Sequence, residues 1–148
     1  MPLLVTTFFI SMMALLVAIH VPEQDKQFMS AKADVAATDV LAYREELINF
    51  INSNAGFSGA VSDSQITPLW GHQRRTNWSN IVSNGTMFVY EVTPSPEALL
   101  LDKIYRKTAR SFMVGRNSSG TLVSANGLST GITIPASVPN GSIVIVGK

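Results

Sequence analysis

Hydrophobic and polar positions divide this chain into stretches of different period. From Pro2 to Val21 no Asp, Glu, Lys or Arg interrupts a run dominated by Leu, Val, Ile, Phe, Met and Ala. As helix, at 1.5 Å per residue, this run would be about 30 Å long, the thickness of a bilayer's hydrocarbon core. Thr6, Thr7 and Ser11 can return their hydroxyls to helix carbonyls, so the segment reads as a transmembrane helix with Leu3 to Val21 in lipid. Two alternatives share the segment. A cleavable signal peptide calls for a basic start and a small-residue cut site, yet no Lys or Arg precedes the run and no Ala-x-Ala follows it. A buried core helix is usually shorter and carries some polar residues.

Pro22 then favours a kink or a restart, with Glu23 and Asp25 well placed for the dipole of a new helix. Val40, Leu41, Leu47, Ile48 and Ile51 recur at helical spacing, and Asp39, Glu45, Glu46 and Asn49 fill the other side. Asn54 and Gly56 supply the stop. The stretch from Asn54 to Gly85, rich in Ser, Asn and Gly and holding Pro68, reads mainly as a long connection with room for one short strand or turn. Thr86 to Val92 has the aromatic and β-branched content of a strand. Ser95-Pro96-Glu97 reads as the start of a second helix, with Leu101, Ile104, Tyr105 and Thr108 on its apolar face and its end near Ser111. Phe112 to Gly115 and Thr121 to Ala125 flank a hairpin loop, Ile132 to Ile134 is a short strand, and Pro139-Asn-Gly141 is a turn. Ser142 to Val146 is a continuous apolar run, the mark of a strand buried on both faces. The expected fold is α+β: a transmembrane anchor over 1–21, an amphipathic stem helix over 22–53, and a small extracytoplasmic domain over 54–148 with an antiparallel sheet and one further helix.

Composition sharpens this picture. The 148 residues are 46% hydrophobic, with a mean hydropathy of +0.23; beyond Val21 the apolar fraction falls to an ordinary globular value. Zero cysteines exclude a disulfide framework, a thiolate metal site and a cysteine nucleophile. The net charge of +1 conceals segregation. Pro22 to Asp63 holds seven acids and three bases, whereas Ser64 to Lys148 holds three acids and eight bases. Lys103, Arg106, Lys107 and Arg110 stand at i, i+3, i+4 and i+7, a basic stripe opposite the apolar face of the second helix. Such a stripe is either a solvated face or a docking surface for an acidic partner. The acidic stem of this or a neighbouring copy would fit it, the latter making a homo-oligomer. Nucleic acid is not expected as a partner at this near-neutral charge.

Candidate chemistry is sparse, and neither a metal nor a cofactor is expected. Gly115-Arg-Asn-Ser-Ser-Gly120-Thr121 has the glycine spacing of a phosphate loop, but Thr121 stands where the lysine is required, and strands flank it. His72 lies in a polar loop after Trp70, with Asp63 and serines nearby in sequence, and no Gly-x-Ser-x-Gly elbow accompanies it. His20 ends the apolar run, where an imidazole reaches headgroups. The Asn-x-Ser/Thr triplets at Asn77, Asn84, Asn117 and Asn140 read as turn markers.

An apolar N-terminal segment leading through Pro22 into an amphipathic helix and a small α/β domain resembles the lollipop layout of type IV pilins, without their basic leader or the glutamate near the start of their hydrophobic segment. The uncharged start from Met1 to Val21, Tyr43-Arg-Glu-Glu-Leu47, the Trp70 loop, Asn84-Gly-Thr-Met-Phe-Val-Tyr-Glu91 and the terminal Ile143-Val-Ile-Val146 are together similar to the PilM family of type IVB thin-pilus systems, which are encoded with conjugative plasmids and related pilus operons. The resemblance implies a noncatalytic, single-pass protein of the bacterial inner membrane, in the pilus basal body or pilin-transport apparatus. Its C-terminal domain would be periplasmic and its partners other pilus assembly proteins. The resemblance brings no catalytic or cofactor residues. A minor pilin or pseudopilin-like subunit incorporated in the fibre is the alternative, and a periplasmic hydrolase using His72 is the enzyme alternative.

Overall fold

The protein's structure, a computed structural model, describes residues 2–66, 77–96 and 98–147. It opens with helix α1 (Pro2–Ser53), which continues through Pro22 rather than restarting there. By compactness the chain divides into two units, Met1–Ala33 and Asp34–Lys148. In the first unit Phe8, Phe9, Ile10, Met13 and Leu15 are all exposed. Phe8 and Phe9 meet edge to face, with ring centroids 6.2 Å apart.

Among the described residues no helix is long and apolar enough to cross a membrane. This finding overturns the transmembrane helix expected over 1–21, the α+β fold led by it, and the single-pass inner-membrane location drawn from it. The physical reason lies in interruption: Thr6, Thr7 and Ser11 stand in the apolar part of α1, and Glu23, Asp25 and Lys26 follow it directly.

The second unit contains the core. Along its part of α1, Ala37, Val40, Tyr43 and Leu47 are buried at spacings of three and four residues, so one stripe of the helix faces inward. Glu46, expected on the solvent side, is buried as well. Asn54 closes the helix: its backbone N–H donates to the Ile51 carbonyl at 3.1 Å and its Nδ2 to the Phe50 carbonyl at 2.8 Å. Gly56 then takes a φ of +85°, as a C-terminal glycine does.

Six strands follow: β1 (Trp78–Ser83), β2 (Thr86–Glu91), β3 (Val114–Ser118), β4 (Thr121–Ser124), β5 (Ser129–Thr133) and β6 (Ile143–Gly147). They form one antiparallel sheet in the order β1-β2-β6-β3-β4-β5. Helix α2 (Ala98–Lys107) connects β2 to β3 and buries Leu100 and Ile104. The last strand in sequence is thus inserted between β2 and β3, and all five of its residues are buried. Successive side chains of a strand point to opposite faces. Ile143 and Ile145 join the cluster of Val40, Tyr43 and Leu47, while Val144 and Val146 join Phe88, Leu122 and Val138.

Two tight hairpins set the register. Asn84 and Gly85 have φ values of 52° and 73°, and Ser119 and Gly120 of 50° and 84°. Positive φ at both central positions defines the turn whose twist suits a two-residue β-hairpin. The segment with phosphate-loop spacing is therefore a hairpin, with a shorter turn than expected, because β3 extends to Ser118. Gly115 has a different reason to be glycine. A Cβ there would overlap the backbone carbonyl of Val123 on β4, so the two strands approach only because the side chain is missing. Gly115→Ala is expected to cost about 3 kcal/mol through this overlap, read as a lower urea midpoint with an unchanged slope; a midpoint equal to that of the parent chain would contradict the close approach.

Candidate functional site

The basic stripe is partly dismantled by the way α2 ends. The helix stops at Lys107, and Ala109 and Arg110 both adopt left-handed φ values, 53° and 58°. The Arg110 N–H returns to the Tyr105 carbonyl at 2.8 Å, and Thr108 Oγ1 donates to the Ile104 carbonyl at 2.9 Å. Bonds of this kind satisfy the last carbonyls of a helix. Arg110 consequently lies beyond the helix and not on its i+7 position. Of the remaining three, Arg106 Nε is 2.9 Å from Asp102 one turn earlier. Lys107 Nζ reaches Asp34 of α1 at 3.3 Å. That second pair is the attraction between acidic stem and basic stripe, made within one copy. Among the described residues Lys103 and Arg110 form no ion pair.

Beside this surface lies a groove of about 750 Å³, lined by Leu41 and Arg44 of α1, Lys107 and Met113 around the end of α2 and the start of β3, and Ile145 and Val146 of β6. Its volume falls in the range of ordinary ligand and peptide pockets. Arg44 Nη1 donates to Glu45 at 3.1 Å, while Arg44 Nε is buried without an acceptor among the described residues. An apolar trough with Arg44 and Lys107 on its wall suits an apolar segment that also carries an acid.

The other polar clusters in the unit are turned inward on the backbone. Asn80, buried on β1, accepts from the Val61 N–H at 2.8 Å and donates to the Val61 carbonyl at 2.9 Å and to Tyr43 Oη at 2.6 Å. Arg116 Nη1 donates to the carbonyls of Ser95 and Gly141 at 2.9 and 2.8 Å. Glu91, also buried, accepts from the Ser95 N–H at 3.1 Å and from Asn77 Nδ2 at 3.3 Å. Asn117, one of the four triplet asparagines, is not at a turn but in β3. It accepts from the Gly120 N–H at 2.9 Å and donates to the Val138 carbonyl at 2.9 Å. Such groups are costly to bury and are spent on bracing loops. Of these only Asn117 stands out in the sequence, and there as a turn marker, since an isolated Asn, Glu or Arg carries no spacing signal.

His72 and Trp70 lie outside the described residues, as do Glu97 and the side chain of His20. Among the described residues no group of three or more His, Asp or Glu is placed to hold a metal ion.

A family model, PilM, matches residues 8–146. Among solved structures, protein PilM from Escherichia coli B7A superposes with a TM-score of 0.60 at 20% identity, covering 80% of this chain and 94% of that one, which shows a shared fold. A PilM protein from Pseudomonas aeruginosa 2192 is 27% identical, with a TM-score of 0.45, over 78% of this chain and 95% of that one. No curated protein matches the sequence.

The Lys107–Asp34 pair is half exposed and so contributes little to stability. Lys107→Ala is expected to change the unfolding free energy by less than about 1 kcal/mol, measured by urea titration at two salt concentrations; a loss of several times that would mean the pair is part of the core and not of a surface.

Proposed function

The chain belongs to the PilM family and is thus a pilus-related protein, and from that premise we propose that it is a noncatalytic component of a type IVB pilus assembly apparatus acting through protein–protein contacts. The carrying observation is the exposed row of large apolar side chains, Phe8 to Leu15, in the first unit. Contiguous exposed apolar surface of this kind marks a place that another molecule covers. The proposed cover is the apolar helix of another assembly protein. Lys103, Arg110 and the adjoining groove offer a second contact, for an acidic segment with apolar side chains.

The inward use of Asn80, Glu91, Arg116 and Asn117 supports a noncatalytic reading, because each places polar atoms on backbone groups, and Asn80 and Glu91 also meet the side chains of Tyr43 and Asn77. A minor pilin incorporated in the fibre is the second reading. It is favoured by the buried stripe of α1 at Ala37, Val40, Tyr43 and Leu47, which lays a helix on an antiparallel sheet in the pilin manner.

A photo-reactive amino acid placed at Phe9 is expected to give adducts with pilus assembly proteins in cells making the pilus, identified by mass spectrometry. Adducts with lipid alone, or none, would contradict the proposal. Reversing Lys103 and Arg110 together to Glu is expected to reduce piliation at unchanged protein abundance, and normal piliation would leave those two residues as solvated charges.

A further inference from the structure

Arg44 stands on α1 where the helix offers it no acid. On a helix surface residues three and four apart are neighbours, whereas adjacent residues do not face each other. For Arg44 those neighbours are Val40, Leu41, Leu47 and Ile48, all apolar. Among the described residues its ion pair is with the next residue, Nη1 donating to Glu45 Oε1 at 3.1 Å, and the Glu45 side chain is 55% exposed. A pair so placed contributes little. Nε of the same guanidinium is buried with no acceptor among the described residues. A buried donor left unmatched destabilises a fold, and its retention calls for a reason.

The groove beside it supplies one. Leu41, Ala42, Met113, Val114 and Val146 make the lining apolar, with Arg44 and Glu45 on the wall. The other lining cation, Lys107, is held by Asp34. Thr108 and Ser111, also on the lining, already bond backbone groups, the first through the Ile104 carbonyl and the second through the Met113 N–H. Arg44 is therefore the lining cation with a donor to spare. A Cβ on Gly147 would stand 3.8 Å from Arg44 Nη2 and 3.9 Å from Nε, so the guanidinium lies against the end of β6.

We propose that Arg44 reads a single Asp or Glu side chain on a peptide segment docking in this groove, and that Glu45 competes for the same guanidinium. This rests on the reading of the groove as a contact for an acidic segment with apolar side chains, and it names the residue that selects the acid. An incoming carboxylate displaces the exposed Glu45 from Nη1, and rotation of the long Arg44 side chain brings Nε into a two-oxygen fork. The exchange is like for like, one carboxylate for another, with the apolar lining adding contact that Glu45 lacks. Glu45 thereby sets a threshold that a bare acidic residue without apolar neighbours does not pass.

The test uses the full-length chain. Short random peptides displayed on phage are selected on it, and those whose binding is abolished by Thr38→Trp, which places bulk at the groove's exposed rim, are the groove binders. They are expected to carry an Asp or Glu among apolar residues, to bind Arg44→Met about tenfold more weakly, and to bind Glu45→Gln roughly threefold more tightly. Arg44→Met keeps an apolar stem and removes the unmatched donor, so its urea midpoint should equal or exceed that of the parent chain. A lower midpoint would show that Arg44 serves the fold and would overturn the proposal. Groove binders indifferent to Arg44→Met would overturn the Arg44 assignment while the groove reading stands; no groove binders at all would overturn both. Laurate bound more tightly than every selected peptide, or self-association abolished by Thr38→Trp, would name a different occupant and overturn the proposal.

Discussion

The burial of β6 on both faces is the constraint from which the rest of the second unit follows. Ile143 and Ile145 complete the cluster under α1, and Val144 and Val146 complete the cluster on the opposite face. Neither cluster closes until the end of the chain lies between β2 and β3. The pairing of β6 with both neighbours satisfies its backbone groups where water is excluded, which a buried strand requires. Val114 and Val89, paired with Ile145 from either side, show how one residue of the central strand ties both halves of the sheet to the helix-facing cluster.

Around that strand the loops are fastened by a few buried polar side chains. Asn80 holds the Val61 segment against β1 and reaches the Tyr43 hydroxyl of α1, so helix, edge strand and loop share one hydrogen-bonding centre. Ser142 Oγ donates to the Glu91 carbonyl at 2.7 Å and fixes the entry of β6 beside the end of β2. Asn117 and Asn140 brace the Ser119-Gly120 turn, where a non-glycine residue takes positive φ. These bonds stabilise the connections between elements that the apolar clusters alone would leave loose.

Much of this arrangement was legible in the chain. The apolar run at Ile143 to Val146 announces a strand buried on both faces, and it is the central one. The aromatic and β-branched stretch at Thr86, the Asn84-Gly85 pair and the three-and-four spacing along α1 each follow a period that the structure uses. The resemblance carried by those same segments agrees with the PilM match over 8–146. What was not legible has physical causes. The one short strand allowed for between Asn54 and Gly85 had no assigned position, because in β1 Asn80 occupies an inward position and breaks the apolar alternation, and that asparagine is tolerated because Val61 and Tyr43 satisfy it. Glu46 defeats the helical pattern in the same way. The basic stripe assumed a helix reaching Ser111, but the left-handed residues Ala109 and Arg110 end it a turn earlier, and half of the stripe is neutralised by Asp102 and Asp34. The transmembrane reading followed from charge-free composition and from letting Thr6, Thr7 and Ser11 return their hydroxyls to helix carbonyls, and among the described residues no helix is long and apolar enough to bear it out.

The central claim is that the second half of α1 and the terminal strand belong to one cooperative unit beginning at Asp34. Native-state hydrogen exchange across a series of low urea concentrations tests it most directly. Amides of Tyr43 to Leu47 and of Ile143 to Val146 should exchange with a common free energy and a common urea dependence, equal to those of global unfolding. Exchange of Tyr43 to Leu47 at a much lower free energy, while Ile143 to Val146 stays protected, would show the helix to be a detachable stem and would contradict the account.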